Sequence, residues 1–377
     1  MKVLFFNIEH YLGFEEESQN FLARLPIIHC GLDIEYRDHI HQRDLASLGR
    51  DAAEANALRA VKDFRPDVVV YFQAWRDDDL SPAFFAAVRG MNIPIVAFIW
   101  DSNLYPRLNE LRLFEAADCL VIVDSLDAYL RWRLMARMCG GDKLVAFGAG
   151  MYYAPSQSTN SLAKIHDVTL VGSVEGERGD LLKTLNELLA AQGVTLSHLG
   201  GTVTSTPGER VSKAWLSWQD YDAAIRQSKI CISSQSAINR RHIKGKIFEV
   251  MARGTMCMID DSSENRRLFP SDVVGWYENP THCAAQIRAF LDAPVKRSQI
   301  EAAASAWLAK SCDWKRFYSA LLERVVHGRG DVPVPATLDS NFVQAWERRY
   351  LMMPVLSDLV TSMIKYIDQS EGFGRAN

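Results

Sequence analysis

The sequence contains no CxxC pair, no apolar run long enough to cross a membrane and no overall excess of basic charge. Its seven cysteines are scattered at positions 30, 119, 139, 231, 257, 283 and 312. An odd, unpaired set of this kind speaks against a disulfide framework or a zinc site and reads as reduced thiols. The longest buried-looking segment, IPIVAFIW at 93–100, ends at Asp101, well short of the roughly 20 residues a membrane helix needs. The apolar run of MKVLFFNIEH stops before Glu9 and is too short for a secretory signal, so a cytoplasmic location is expected. Repeats and low-complexity tracts are lacking as well. With 42 Lys and Arg against 46 Asp and Glu, the net charge is −4, and no nucleic-acid partner is expected.

What is present is ample apolar material: 377 residues, 48% hydrophobic, 23% charged. That length suits two or three domains at roughly 150 residues each. The charge is unevenly spread. Residues 1–157 hold 16 basic and 22 acidic side chains, residues 158–337 hold 22 and 19, and the tail 338–377 holds 4 and 5. The basic excess is gathered in NRRHIKGKIFEVMARG at 239–254, where Arg240, Arg241, Lys244, Lys246 and Arg253 face a single acid, Glu249. A local cationic loop in an acidic protein suits a small anionic ligand better than a polyanion.

Short β-branched and aromatic runs alternate with helical patterns from the start. Strands are expected at 2–8, 32–38, 67–73, 93–100, 119–124 and 143–148, with helices between them, for example at 51–64. The runs at 67–73 and 93–100 are almost continuously apolar, as in strands covered on both faces. After a polar, Ser-rich stretch at 154–166 the pattern restarts, with strands at 167–173, 194–201, 229–235, 255–261 and 273–278. Helices are expected there at 180–192, 220–228, 245–253, 280–292 and 298–309. Such alternation builds parallel, doubly wound α/β sheets. The expected division is therefore one α/β domain at 1–155, a second at 156–337 and a helical tail at 338–377. Two such domains, if they face each other, place the carboxyl ends of both strand sets around one cleft.

The strongest local signal is KGKIFEVMARGTMCMID at 244–260. A helix starting near Gly245 and stopping at Gly254 leads into a strand. Glu249 in that helix can accept hydrogen bonds from two adjacent hydroxyls, as on a ribose. Lys244 and Lys246 stand at the helix start, where backbone N–H groups and positive side chains together suit a diphosphate.

This segment resembles the C-terminal signature of GT-B glycosyltransferases, especially the group-1-like proteins related to the spore maturation protein CgeB. In those, an Asn-rich loop precedes an R-x-F-E-x-x-A-x-G helix, and Asn239, Lys246, Phe248, Glu249, Ala252 and Gly254 stand in the corresponding places, Lys replacing the usual Arg. DVTLVGSVEGERGDLL at 167–182 looks like the first strand and loop of such a domain. The resemblance implies that Gly172, Ser173 and Arg178 contact a donor diphosphate, with Lys246 and Lys244 or Arg240 assisting, and that Glu249 binds the ribose. It also implies a GT-B fold, with two Rossmann-like domains around a central cleft, 1–155 on the acceptor side and 156–337 binding the donor, and a tail at 338–377 that packs back on the first domain. The implied reaction moves a sugar from a nucleotide-sugar donor to an acceptor (a glycan, a protein or a lipid-linked group), with no metal and no cofactor beyond the donor. One feature departs from the pattern. Retaining members carry a further glutamate ahead of the ribose-binding one, with seven residues between the two, and Arg241 stands at that place.

An inverting reaction needs a base on the acceptor side. Asp101, just after the strand at 93–100, is the first candidate, with helix capping an equal alternative; Glu9 and His10 follow. Other features carry less. Asp77-Asp78-Asp79 precedes Leu80-Ser81-Pro82 and reads as a helix cap. His39 and His41 read as part of a polar loop, and GAG at 148–150 as a turn. YLRWRLMARM at 129–138 reads as a packed helix with a solvated Arg face, while a peripheral membrane contact stays an alternative. A nucleotide-sugar epimerase and a non-catalytic nucleotide-sugar-binding protein are the alternatives to transfer.

Overall fold

The computed structural model describes residues 1–7, 24–73, 79–100, 108–139, 143–151, 162–172, 174, 177–200, 210–211, 216, 218–234, 242–334, 338 and 340–351. They fall into two units. One takes in the described residues of Met1–His10, Ile27–Ala149 and Lys315–Asn377, the other those of Tyr11–Pro26 and Gly150–Trp314.

The first unit contains β1 (Lys2–Asn7), the last two residues of α1 (Arg24–Ile28), β2 (Glu35–Ile40), α2 (His41–Leu48), α3 (Arg50–Phe64), β3 (Val68–Phe72), α4 (Pro82–Arg89), β4 (Ile95–Ile99), α5 (Leu108–Ala116), β5 (Cys119–Ile122), α6 (Leu126–Met138) and β6 (Leu144–Phe147). Its six strands are all parallel, in the order β2-β1-β3-β4-β5-β6. Every residue of β3 and β4 is buried, which is why these strands are apolar throughout and do not alternate. Helix starts follow local chemistry. Ser81 accepts from the Phe84 amide ahead of Pro82, and Ser125 accepts from the Ala128 amide, each satisfying an otherwise orphaned donor.

The second unit contains β7 (His166–Val171), α7 (Glu177–Ala190), β8 (Leu196–Leu199), β9 (Arg210–Val211), α8 (Trp218–Arg226), β10 (Ser228–Ser233), α9 (Gly245–Ala252), β11 (Met256–Asp260), α10 (Ser263–Leu268), β12 (Gly275–Tyr277), α11 (Pro280–Asp292) and α12 (Pro294–Ser311). These strands also run parallel, in the order β12-β11-β10-β7-β8-β9. Its core joins Val168, Leu170, Leu185, Leu196, Ile230, Met258 and Ile287. Burial of each such side chain contributes about 1.5–3 kcal/mol. The chain runs outward from β7 through β8 to β9, then returns to β10 and runs outward the other way. β7 and β10 are therefore neighbours whose following loops diverge, which opens a crevice at their carboxyl ends.

The second unit runs to Trp314. The helix after it, α13 (Trp314–His327), buries Phe317 and Tyr318 completely. Tyr318 lies 6.3 Å from Phe98 and Phe317 abuts Gly148, so the chain rejoins the first unit before the polar stretch at 328–340. The tail helix α14 (Ser340–Leu351) meets α6, with Trp346 Nε1 donating to Asp127 at 2.9 Å and Arg137 paired with Glu347 at 2.6 Å. Residues 352–367 of the expected tail lie outside the described residues.

Asp79 is not a helix cap; Ser81 holds that role. The Asp79 carboxylate instead accepts from Tyr71 Oη at 2.8 Å and from Asn109 Nδ2 at 2.9 Å. His41 is not in a polar loop either. It begins α2, is fully buried, and meets the Tyr71 hydroxyl at 3.2 Å; burial pushes it down to about 3, so it stays neutral. His39 pairs with Asp44 at 3.3 Å. In α6, Trp132 is fully buried and stacked on Phe114 at 5.0 Å. No described helix is long and apolar enough to cross a membrane.

Candidate functional site: a cationic crevice beside β7 and β10

Four of the diphosphate and ribose candidates come together in the second unit, at the carboxyl ends of β7 and β10. Gly172 follows the last residue of β7, with a backbone φ of +109° that favours glycine. Its amide continues the sheet by donating to Leu199 O at 3.0 Å. Its carbonyl accepts from His198 Nε2 on β8 at 2.7 Å. A side chain at this position would grow toward Lys246 Nζ, 3.5 Å from the first added carbon. The glycine thus keeps the space above β7 open to the lysine.

Arg178 lies in the first turn of α7, and its Nη2 donates to Ser234 O, just beyond β10, at 3.1 Å. That bond spans the crevice from the helix after β7 to the end of β10. Tyr277 Oη on β12 supports the same edge by donating to Ser233 O at 3.3 Å.

Lys246 and Glu249 both rise from α9. Its first turn carries Gly245 and Lys246 and no acidic residue, leaving the positive end of the helix dipole uncompensated. Lys246 Nζ donates to Tyr221 Oη at 2.8 Å and lies 4.5 Å from the centre of the same ring. Tyr221 Oη in turn donates to Glu249 Oε2. Glu249 is only 8% exposed, so it is not an ordinary surface carboxylate. Arg253 Nε pairs with Asp222 at 2.8 Å, and its Nη1 donates to Glu249 O at 2.9 Å. Burial, followed by repulsion from Arg178, lowers Lys246 from 10.5 to about 7. An anion placed beside Nζ would favour the charged form of this lysine.

Lys244 stands immediately before α9, and its Nζ lies 3.4 Å from His242 Nδ1. Ser173, Asn239, Arg240 and Arg241 lie outside the described residues, as do the base candidates Glu9, His10 and Asp101. Sequence reasoning missed Tyr221 and His198. Nothing in WQDYDAAIR marks its tyrosine as the partner of a lysine 25 positions later; only the packing of α8 beside α9 brings them together. A cavity of about 510 Å³ lies elsewhere in this unit, beside β12, α11 and α12; Trp276, His282, Gln286 and Lys296 help line it, and it shares no residue with the crevice. Among the described residues no group of three or more His, Cys, Asp or Glu is placed to hold a metal ion.

Residues 178–323 match the family model described as glycosyl transferase-like. No curated protein matches the sequence. Among solved structures, the chain is similar to the Anabaena protein HepE in complex with UDP-glucose (TM-score 0.57, 13% identity, 87% of this chain and 100% of that one). Sucrose-phosphate synthase from Thermosynechococcus elongatus is also similar (0.56, 11%, 85% and 97%). So is a Listeria monocytogenes protein described as a UDP-N-acetylglucosamine 2-epimerase (0.57, 10%, 89% and 99%). At identities this low the likeness establishes the fold alone. The chain has the GT-B fold of two Rossmann-like α/β units, and its residues 178–323 match the glycosyl transferase-like family model.

Proposed function

We propose that the protein is a glycosyltransferase that takes a sugar from a nucleoside-diphosphate donor bound in the second unit and moves it to an acceptor group. The observation that carries this reading is the convergence of Gly172, Arg178, Lys246 and Glu249 at the β7–β10 crevice. A sugar leaves its donor when charge developing on the departing diphosphate is stabilised. The Arg178 guanidinium, the protonated Lys246 ammonium and the start of α9 supply positive charge for that purpose. Glu249 is assigned to the ribose hydroxyls and Lys244 to the outer phosphate. Ser173 and Arg240 are assigned to the same diphosphate on sequence grounds. The group-1-like, CgeB-related branch of the fold is the one its motifs fit.

No step assigned to these residues requires a metal ion. The compared Anabaena structure holds UDP-glucose, so uridine is the first base to test. If the reaction inverts, Asp101 is the first candidate to take the acceptor proton, with Glu9 and His10 next. The acceptor class (glycan, protein or lipid-linked) and a peripheral membrane contact belong to this proposal, as does a cytoplasmic location. The likeness to the Listeria protein supports a second reading, an epimerase that uses the same donor site without an acceptor.

Turnover separates the two. The protein is incubated with labelled UDP-sugars, with and without an acceptor mixture, and the nucleotide and sugar products are resolved. Acceptor-dependent release of UDP with label transfer is the expected result. A changed sugar still attached to UDP supports the epimerase, and donor binding without either product overturns both.

A further inference from the structure

We propose that Tyr221 is the positioning residue of the donor site, its hydroxyl holding the Lys246 ammonium toward the diphosphate and tying it to the Glu249 carboxylate. The proposal rests on the donor-site reading above and extends it to a residue on another helix. The hydroxyl has one proton to give and lone pairs to accept with, and both are used. It accepts from Lys246 Nζ and donates to Glu249 Oε2. One oxygen thus connects the group assigned to the diphosphate with the group assigned to the ribose. The ring adds a second contact with the cation, since Lys246 Nζ lies 4.5 Å and Arg253 Cζ 5.7 Å from its centre.

The groups around Lys246 make this restraint necessary. Arg178 from α7, Arg253 just after α9, Cys231 on β10 and Cys257 on β11 act on it electrostatically, and Tyr221 from α8 links it to Glu249 on its own helix. The two arginines repel the ammonium and the sheet cannot solvate it. A lysine side chain has several freely rotating bonds, so without an acceptor it would swing away from this cationic neighbourhood. Tyr221 supplies that acceptor while leaving the other ammonium protons for phosphate oxygens.

Tyr221→Phe keeps the ring and removes only the hydroxyl. Calorimetric titration with a UDP-sugar from pH 6 to 9 should show about tenfold weaker binding at pH 7. The pH at which affinity is half lost should move down, because the hydroxyl accepts from the ammonium and so favours its charged form. Thermal denaturation should show an intact fold. Tyr221→Phe is also made in the Lys246→Met background, where it should weaken binding little further, since its effect acts through Lys246. Unchanged affinity and an unchanged pH midpoint in Tyr221→Phe overturn the proposal, as does a full additional loss in the double variant. If the wild-type protein binds no nucleoside-diphosphate sugar, the donor reading itself fails and this proposal falls with it.

Discussion

Donor affinity should fall as pH rises through neutrality, because Lys246 is only partly charged there. In the ligand-free protein its ammonium titrates at about 7, pushed down by burial and by Arg178. A diphosphate beside Nζ reverses that balance and holds the proton on. Binding then selects the protonated form, and the apparent affinity scales with the fraction already protonated. From the value of about 7, that fraction is about nine-tenths at pH 6, one-half at pH 7 and one-tenth at pH 8. Affinity should thus weaken about tenfold between pH 6 and pH 8, or roughly 1.4 kcal/mol. At pH 7 about half a proton should be taken up per ligand bound.

The assay is titration calorimetry with a UDP-sugar in buffers of different ionisation enthalpy. The sugar ester avoids the free phosphate ionisation near pH 6, so the slope reports the protein. Lys246→Arg, always charged, and Lys246→Met, never charged, should both remove the slope. A slope surviving in Lys246→Met, or its absence from the wild type, refutes the reasoning. The sign of the stability effect is opposite to that of a lysine stabilised by a partner. Between about 7 and 10.5 the unfolded chain holds the Lys246 proton more tightly than the native one. The contribution of this residue to stability therefore rises with pH across that window and is least below it.

Two further outcomes concern the fold. Gly150→Ala would place a methyl carbon 2.5 Å from Phe248 Cε1 and 2.9 Å from Cys312 Sγ at a φ of +75°; chemical denaturation should show a loss of about 2–4 kcal/mol. Trp132→Ala empties the space beneath the Phe114 ring in the first unit and should lower stability by about 3–5 kcal/mol in the same assay, without changing donor affinity in the folded fraction.

The two sheets were legible in the sequence because their strands are short β-branched runs between Gly, Pro and polar breaks, and VVVYF and IVAFI have no alternation to mislead. What escaped notice has physical reasons. Arg210–Val211 is a two-residue edge strand, too short for any periodicity. SENRRL forms a helix of six residues capped by Ser262, with only Leu268 to mark an apolar face. WKRFYSALLERVVH carries a clear apolar stripe, yet nothing local says which unit it serves; that depends on Phe98 and Gly148, far back in the chain. The cationic cluster and Glu249 were readable because they lie within one helix and the residues beside it. Tyr221, His198 and the buried pairing of His41 with Tyr71 were not, because each depends on neighbouring elements that only the sheet order brings together.

The central claim is that a donor diphosphate sits between Arg178 and Lys246 at the β7–β10 crevice. Titration of a UDP-sugar into the wild type, Arg178→Met and Lys246→Met at pH 6.5 tests it most directly. The account predicts measurable binding by the wild type and a loss of about tenfold or more in each folded variant. Equal affinity in all three proteins would contradict it.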